Sequence, residues 1–124
     1  MPFYGRTLVH IIGKSVLQSE YNCSIVIIGL LSGLSFLHSK GMSHRDLKPP
    51  NVLIEGELVV KICDFGLSGC PDSVCGTPGY VAPEALDPKN RSFSLDQQKK
   101  ADCWVMGKII FEVLMNKVTE EDQD

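Results

Sequence analysis

A chain of 124 residues has room for one modest domain with a real core and too little for two. Its 44% hydrophobic and 22% charged residues are ordinary for a soluble globular protein. Twelve Lys and Arg, scattered and outnumbered by fifteen Asp and Glu, argue against a nucleic-acid surface.

The opening "MPFYGRTLVH" lacks the long apolar core of a signal peptide. "TLVHIIGKSVLQSE" reads as a short, weakly amphipathic helix. The longest uncharged stretch follows, "YNCSIVIIGLLSGLSFLHS", residues 21–39. Ile27, Leu30, Leu31, Leu34 and Leu37 recur there at helical spacing, with Ile25 and Ile28 widening the stripe. It is read as a buried core helix, too polar and glycine-marked for a membrane span, and capped by Lys40-Gly41. "SHRDLKPPNVLI", residues 43–54, concentrates polar groups before an apolar run. "NVLIEG" and "LVVKICDFG" predict two strands with a tight hairpin at Glu55-Gly56-Glu57. From Leu67 to about Lys99, Gly, Pro, Ser and Asp predict a long loop with short helical pieces. A helix returns at "ADCWVMGKIIFEVLMN", with Trp104, Ile109 and Val113 sharing one face and Leu114 flanking it. Residues 118–124 read as a solvated acidic tail. The fold class expected is α+β, mainly helical.

Five cysteines, an odd count with no C-x-x-C pair, argue against a zinc site and a disulfide framework. A reducing compartment is expected, cytoplasmic with the nucleus also open. Cys63, Cys75 and Cys103 read as buried small residues and Cys70 as a loop thiol. His10 and His38 have no acidic or cysteine partner at ligand spacing and read as ordinary.

The chemistry gathers around Asp46. Its carboxylate can accept or orient a hydroxyl proton, Lys48 can neutralise a phosphoryl group, and the amide oxygen of Asn51 can ligate a hard cation. Asp64, thirteen residues beyond Asn51, offers a second oxygen ligand at a strand end.

"HRDLKPPN", "DFG" and "GTPGYVAPE" closely resemble the catalytic loop, metal loop and activation-segment end of eukaryotic protein kinases, in that order. "ADCWVMGKIIFEVL" is similar to the family's next helix, with Asp102, Trp104 and Gly107 matching. The resemblance runs from about residue 14 to residue 117. It implies a kinase-like fold using ATP and Mg2+. Asp46 then resembles the catalytic base, and Lys48 the γ-phosphate lysine of serine/threonine-specific enzymes. Asn51 and Asp64 match the magnesium ligands, Thr77 the threonine that bonds back to the catalytic pair, and Leu53 the apolar residue under adenine. His44 and Phe65 match residues packed into a hydrophobic spine, and Asp102 the buried aspartate that accepts from the catalytic-loop backbone. Arg45 is suited to bind a phosphate on the activation segment, for which Ser73 is the candidate and Ser68 a weaker one.

The departures bound what is expected. There is no G-x-G-x-x-G, no V-A-I-K-like strand and no helix carrying its glutamate partner. The chain therefore reads as the central piece of a kinase domain, from the end of the hinge through the helix after "APE", an incomplete C-terminal lobe. The small N-terminal lobe and the last helices are absent, and with them the arginine that normally pairs with Glu84. Ser43 stands where an apolar residue is usual, and Pro50 replaces a commoner polar one. The function implied is ATP-dependent phosphoryl transfer to protein Ser/Thr hydroxyls, with the isolated chain inactive. The alternative is a non-catalytic, kinase-derived binding or regulatory fragment. Expected partners are a protein substrate, no nucleic acid, no membrane, and a missing lobe or partner chain for stability.

Overall fold

The structure, a computed structural model, describes residues 6–63, 79–86 and 94–118. A three-stranded antiparallel sheet in the order β1-β2-β3 is formed by β1 (Arg6–Thr7), β2 (Val52–Glu55) and β3 (Val59–Ile62). Around it lie the single-turn α1 (Leu8–Ile11) and two long helices, α2 (Glu20–Ser39) and α3 (Leu95–Met115). A mainly helical chain with a small sheet agrees with the expected class.

Helix α2 is well specified at both ends. The Ser19 hydroxyl accepts from the Asn22 amide, satisfying one donor of the first turn. At the other end Gly41 takes φ +76, its N–H bonds the His38 carbonyl, and the Met42 N–H reaches back to Leu37. That pair of bonds closes the last carbonyls as glycine-terminated helices do. The buried stripe is Cys23, Val26, Leu30, Leu34 and Leu37, rotated from the expected one. Ile28 and Leu31 are exposed at 63% and 49%, so both are corrected. The face beside the stripe belongs to glycine: a Cβ on Gly29 would stand 2.7 Å from the Val60 Cβ, and one on Gly33 3.0 Å from Ile62. Small residues let α2 lie directly on β3. By length and composition α2 is apolar enough to cross a membrane, contrary to its reading as too polar. In this fold its buried stripe enters the core with Leu8, Val52 and Ile109.

The single helix expected over residues 7–20 is instead two turns. Gly13 at φ +89 separates α1 from a 3-10 turn, Ser15–Gln18, and Thr7 belongs to β1. The hairpin forms as expected, pairing Glu55 with Val59 across a turn at 56–58. Leu58, expected in the strand, sits in this turn at φ +66 with its side chain buried. Burial of that side chain offsets a left-handed cost of roughly 1–2 kcal/mol.

Helix α3 starts six residues before the expected Ala101. The Gln97 N–H donates to the Ser94 hydroxyl, and the Ser94 N–H donates to the Gln97 side chain. This is a capping box written in "SLDQ". Its inner face is Asp102, Val105, Met106, Ile109, Glu112 and Val113. Ile109 and Val113 are inside as expected, whereas Trp104 and Leu114 face outward, 44% and 60% exposed, which corrects those two. Cys103 is exposed and Cys63 half-buried, so the reading of both as buried is also corrected. Helix α3 ends at Asn116 in the left-handed region, φ +53. Its Oδ1 accepts from the Gly13 N–H at 2.7 Å and its Nδ2 donates to the Lys14 carbonyl at 3.0 Å.

Candidate active site

The loop between α2 and β2 is shaped from three sides. Pro49 and Pro50 supply the fixed φ that starts the 3-10 turn Pro49–Asn51, which turns the chain into β2. From α3, Asp102 reaches the loop's entry: one carboxylate oxygen accepts from the His44 N–H at 2.7 Å, the other from the Arg45 N–H at 3.0 Å. Arg45 has φ +72, a conformation an L-residue holds only when its surroundings impose it. Asp102 is almost fully buried, and two backbone donors are what make its burial tolerable.

His38 supplies a further partner, its Nε2 lying 2.9 Å from the Asp102 Oδ2. The reading of His38 as ordinary is therefore corrected. The pairing joins the last turn of α2 to α3 across 64 residues, a separation no local spacing rule searches.

His44 is fully buried and bonded on both ring nitrogens. Because the Asp46 N–H must donate to Nδ1 (3.0 Å), the proton sits on Nε2, which faces the Cys63 carbonyl at 2.7 Å. The imidazole is thus a neutral brace between the loop and the end of β3, where hydrophobic packing alone was expected.

Asp46, Lys48 and Asn51 come together. The Lys48 Nζ lies 3.7 Å from the Asp46 Oδ2, both side chains partly open to solvent. Buried Asn51 donates its Nδ2 to the Asp46 carbonyl at 2.7 Å and approaches the Asp46 carboxylate at 3.4 Å. With the amide nitrogen so committed, the oxygen is the atom of this side chain that could ligate a hard cation such as magnesium. The Asn51 carbonyl accepts from the Cys63 N–H at 3.0 Å, which fixes the chain just before Asp64. Leu53 is half-buried on the sheet face opposite Val52 and Ile54, between Thr7 and Lys61. Asp64, Phe65, Ser68, Cys70, Ser73, Cys75 and Thr77 lie outside the described residues.

Glu84, which the resemblance pairs with an arginine, is exposed in the 3-10 turn Pro83–Leu86. A second buried acid on α3, besides Asp102, is Glu112. Both its oxygens lie 2.9 Å from the Tyr80 hydroxyl, which donates to it. Burial, then the Glu112 carboxylate, pushes the Tyr80 phenol well above its usual range. Lys108 donates to the Gly79 carbonyl and stands 4.7 Å over the Tyr80 ring, so "GY" is pinned to α3. The signal available beforehand was one acid inside the apolar run "KIIFEVLM". Among the described residues no three His, Cys, Asp or Glu side chains cluster at metal-binding range.

The chain resembles known proteins at the level of sequence. The chain is 36% identical over 129 residues to CBL-interacting protein kinase 28 of Oryza sativa subsp. japonica, covering 97% of this chain and 28% of that protein. It is 38% identical over 140 residues to CBL-interacting serine/threonine-protein kinase 8 of Arabidopsis thaliana, covering 97% of this chain and 30% of the relative. Serine/threonine-protein kinase cds1 of Schizosaccharomyces pombe is 37% identical over 102 residues, 77% of this chain and 22% of its own length. The chain thus spans under a third of the curated relatives it matches. The sequence model of the protein kinase domain matches residues 3–124, and the chain belongs to that family.

Proposed function

We propose that the protein bearing these residues transfers the γ-phosphoryl group of ATP to serine and threonine hydroxyls of protein substrates. The observation that carries this is the cluster of Asp46 carboxylate, Lys48 ammonium and Asn51 amide in one loop hung from Asp102. Bound Mg-ATP supplies the phosphoryl group. Asp46 accepts the substrate hydroxyl proton, Lys48 offsets charge on the transferring group, and Asn51 with Asp64 holds magnesium. Lys48 and Thr77 favour a serine or threonine acceptor, and the relatives' names include serine/threonine-protein kinases.

The test is phosphate transfer from labelled ATP to serine, threonine and tyrosine peptides by wild type and Asp46→Asn. Loss of the base should lower turnover by about 10²–10⁴-fold with nucleotide affinity kept. Turnover within twofold of wild type would show that Asp46 is not the proton acceptor. Transfer confined to tyrosine would overturn the acceptor class.

A further inference from the structure

The entry of the candidate catalytic loop is held by more than Asp102. Ser43 is 1% exposed, yet it is polar and precedes His44 directly. A buried hydroxyl is tolerated only with a partner. Its hydroxyl donates to the Gln98 Oε1 at 2.7 Å. Gln98 lies four residues before Asp102 on α3, so the two side chains project from the same face, one turn apart. Consecutive loop residues meet that face in register: the Ser43 hydroxyl meets Gln98, and the His44 and Arg45 amides meet Asp102.

We propose that Ser43 and Gln98 form a positioning pair that fixes the loop's register on α3, and through it the backbone of Asp46. The physical reason is rotation. Asp102 holds two adjacent amides and so fixes one short stretch of backbone. A contact one helical turn away prevents that stretch from pivoting about the carboxylate. Resistance to pivoting matters here because Arg45 sits at φ +72, from which relaxation toward ordinary values would swing the next residue, Asp46. A neutral amide can serve as acceptor without placing a second charge beside Asp102. The role in catalysis rests on the proposed phosphoryl transfer; the role in holding the loop does not.

The test is residue-resolved amide hydrogen exchange on the 124-residue chain for wild type, Ser43→Ala, Gln98→Met and the double variant, with Gln98→Glu as the conservative change. Losing one neutral hydrogen bond should speed exchange at the His44 and Arg45 amides by roughly fivefold, with α2 amides unchanged. The double variant should be no faster than the faster single one, and Gln98→Glu, which keeps the acceptor but adds a charge one turn from Asp102, should fall between wild type and Gln98→Met. Unchanged exchange at both amides would overturn the proposal. An equal acceleration across α2 and the loop would overturn it too, by making the pair a general stabiliser. Where wild type shows phosphoryl transfer, kcat should fall with the KM for ATP kept. Absence of transfer by a protein bearing these residues within a whole kinase domain would sink the proposed function and leave the exchange result to decide the positioning role.

Discussion

Replacing Asp102 with alanine removes the acceptor of two backbone donors at once. The His44 N–H (2.7 Å) belongs to a fully buried residue, and the Arg45 N–H (3.0 Å) belongs to one held at φ +72. Each stranded donor costs about 1–3 kcal/mol. The rigid surroundings that hold Arg45 leave little room to turn either toward water. The His38 imidazole loses its partner as well, but at 16% exposure it can reach solvent and adds little. The expected loss is therefore about 3–5 kcal/mol, a large share of the roughly 5–15 kcal/mol typical of a domain. Asp102→Asn keeps one acceptor and turns an amide toward the second donor, so it should fall between alanine and wild type. His38→Ala should cost about 1 kcal/mol. Urea unfolding followed through Trp104, the single tryptophan and two residues from the substituted position, measures all three. An Asp102→Ala variant within about 1 kcal/mol of wild type would refute the claim that this carboxylate organises the loop.

The same substitution should have opposite signs on two helices. Gly29→Ala drives a Cβ to 2.7 Å from Val60 and should cost a net of about 1–2 kcal/mol after the gain in helix propensity. Gly107→Ala meets nothing within 4 Å and should gain up to about 1 kcal/mol; matched thermal melts compare them. Tyr80 keeps its proton in the folded state at pH values where the unfolded chain releases its own, so stability should fall as pH rises above about 10. Tyr80→Phe should show a flatter alkaline limb in denaturant titrations from about pH 9 to 11, and equal slopes would contradict the shift. Leu53 lies on a half-buried face with one side for an adenine to lean on, so the 124-residue chain should bind Mg-ATP weakly. Calorimetry giving a micromolar Kd would contradict that.

What the sequence made legible was local chemistry. Lys40-Gly41 announced the end of α2 because a left-handed cap needs glycine within a residue or two of the last helical turn. Gly56 between two β-rich runs announced the hairpin for a similar reason, and the loop motif brought Asp46, Lys48 and Asn51 together because they are neighbours in the chain. Illegible features depended on distant partners. Apolar counting placed Ile109 and Val113 inside, as they are, but took Trp104 with them and passed over Glu112. The buried hydrogen bond from Tyr80, 32 residues earlier, makes an inward acid acceptable. His38 looked ordinary until Asp102, 64 residues on, came within 2.9 Å. Gly13 was absorbed into a helix because Ile11, Ile12, Val16 and Leu17 recur around it, whereas its φ of +89 ends one.

The two hydrogen bonds from Asn116 to Gly13 and Lys14 span 103 and 102 residues of chain. During synthesis the N-terminal turns emerge long before the side chain that fastens them exists. At about 5–20 residues per second the interval is about 5–20 s. Loop closure over such a length is costly until the intervening helices have docked, so this fastening should be among the last to form. For that interval the α2 face that α3 will cover is open to any holdase within reach. Whether the nascent chain escapes capture then depends on how soon α3 leaves the ribosome.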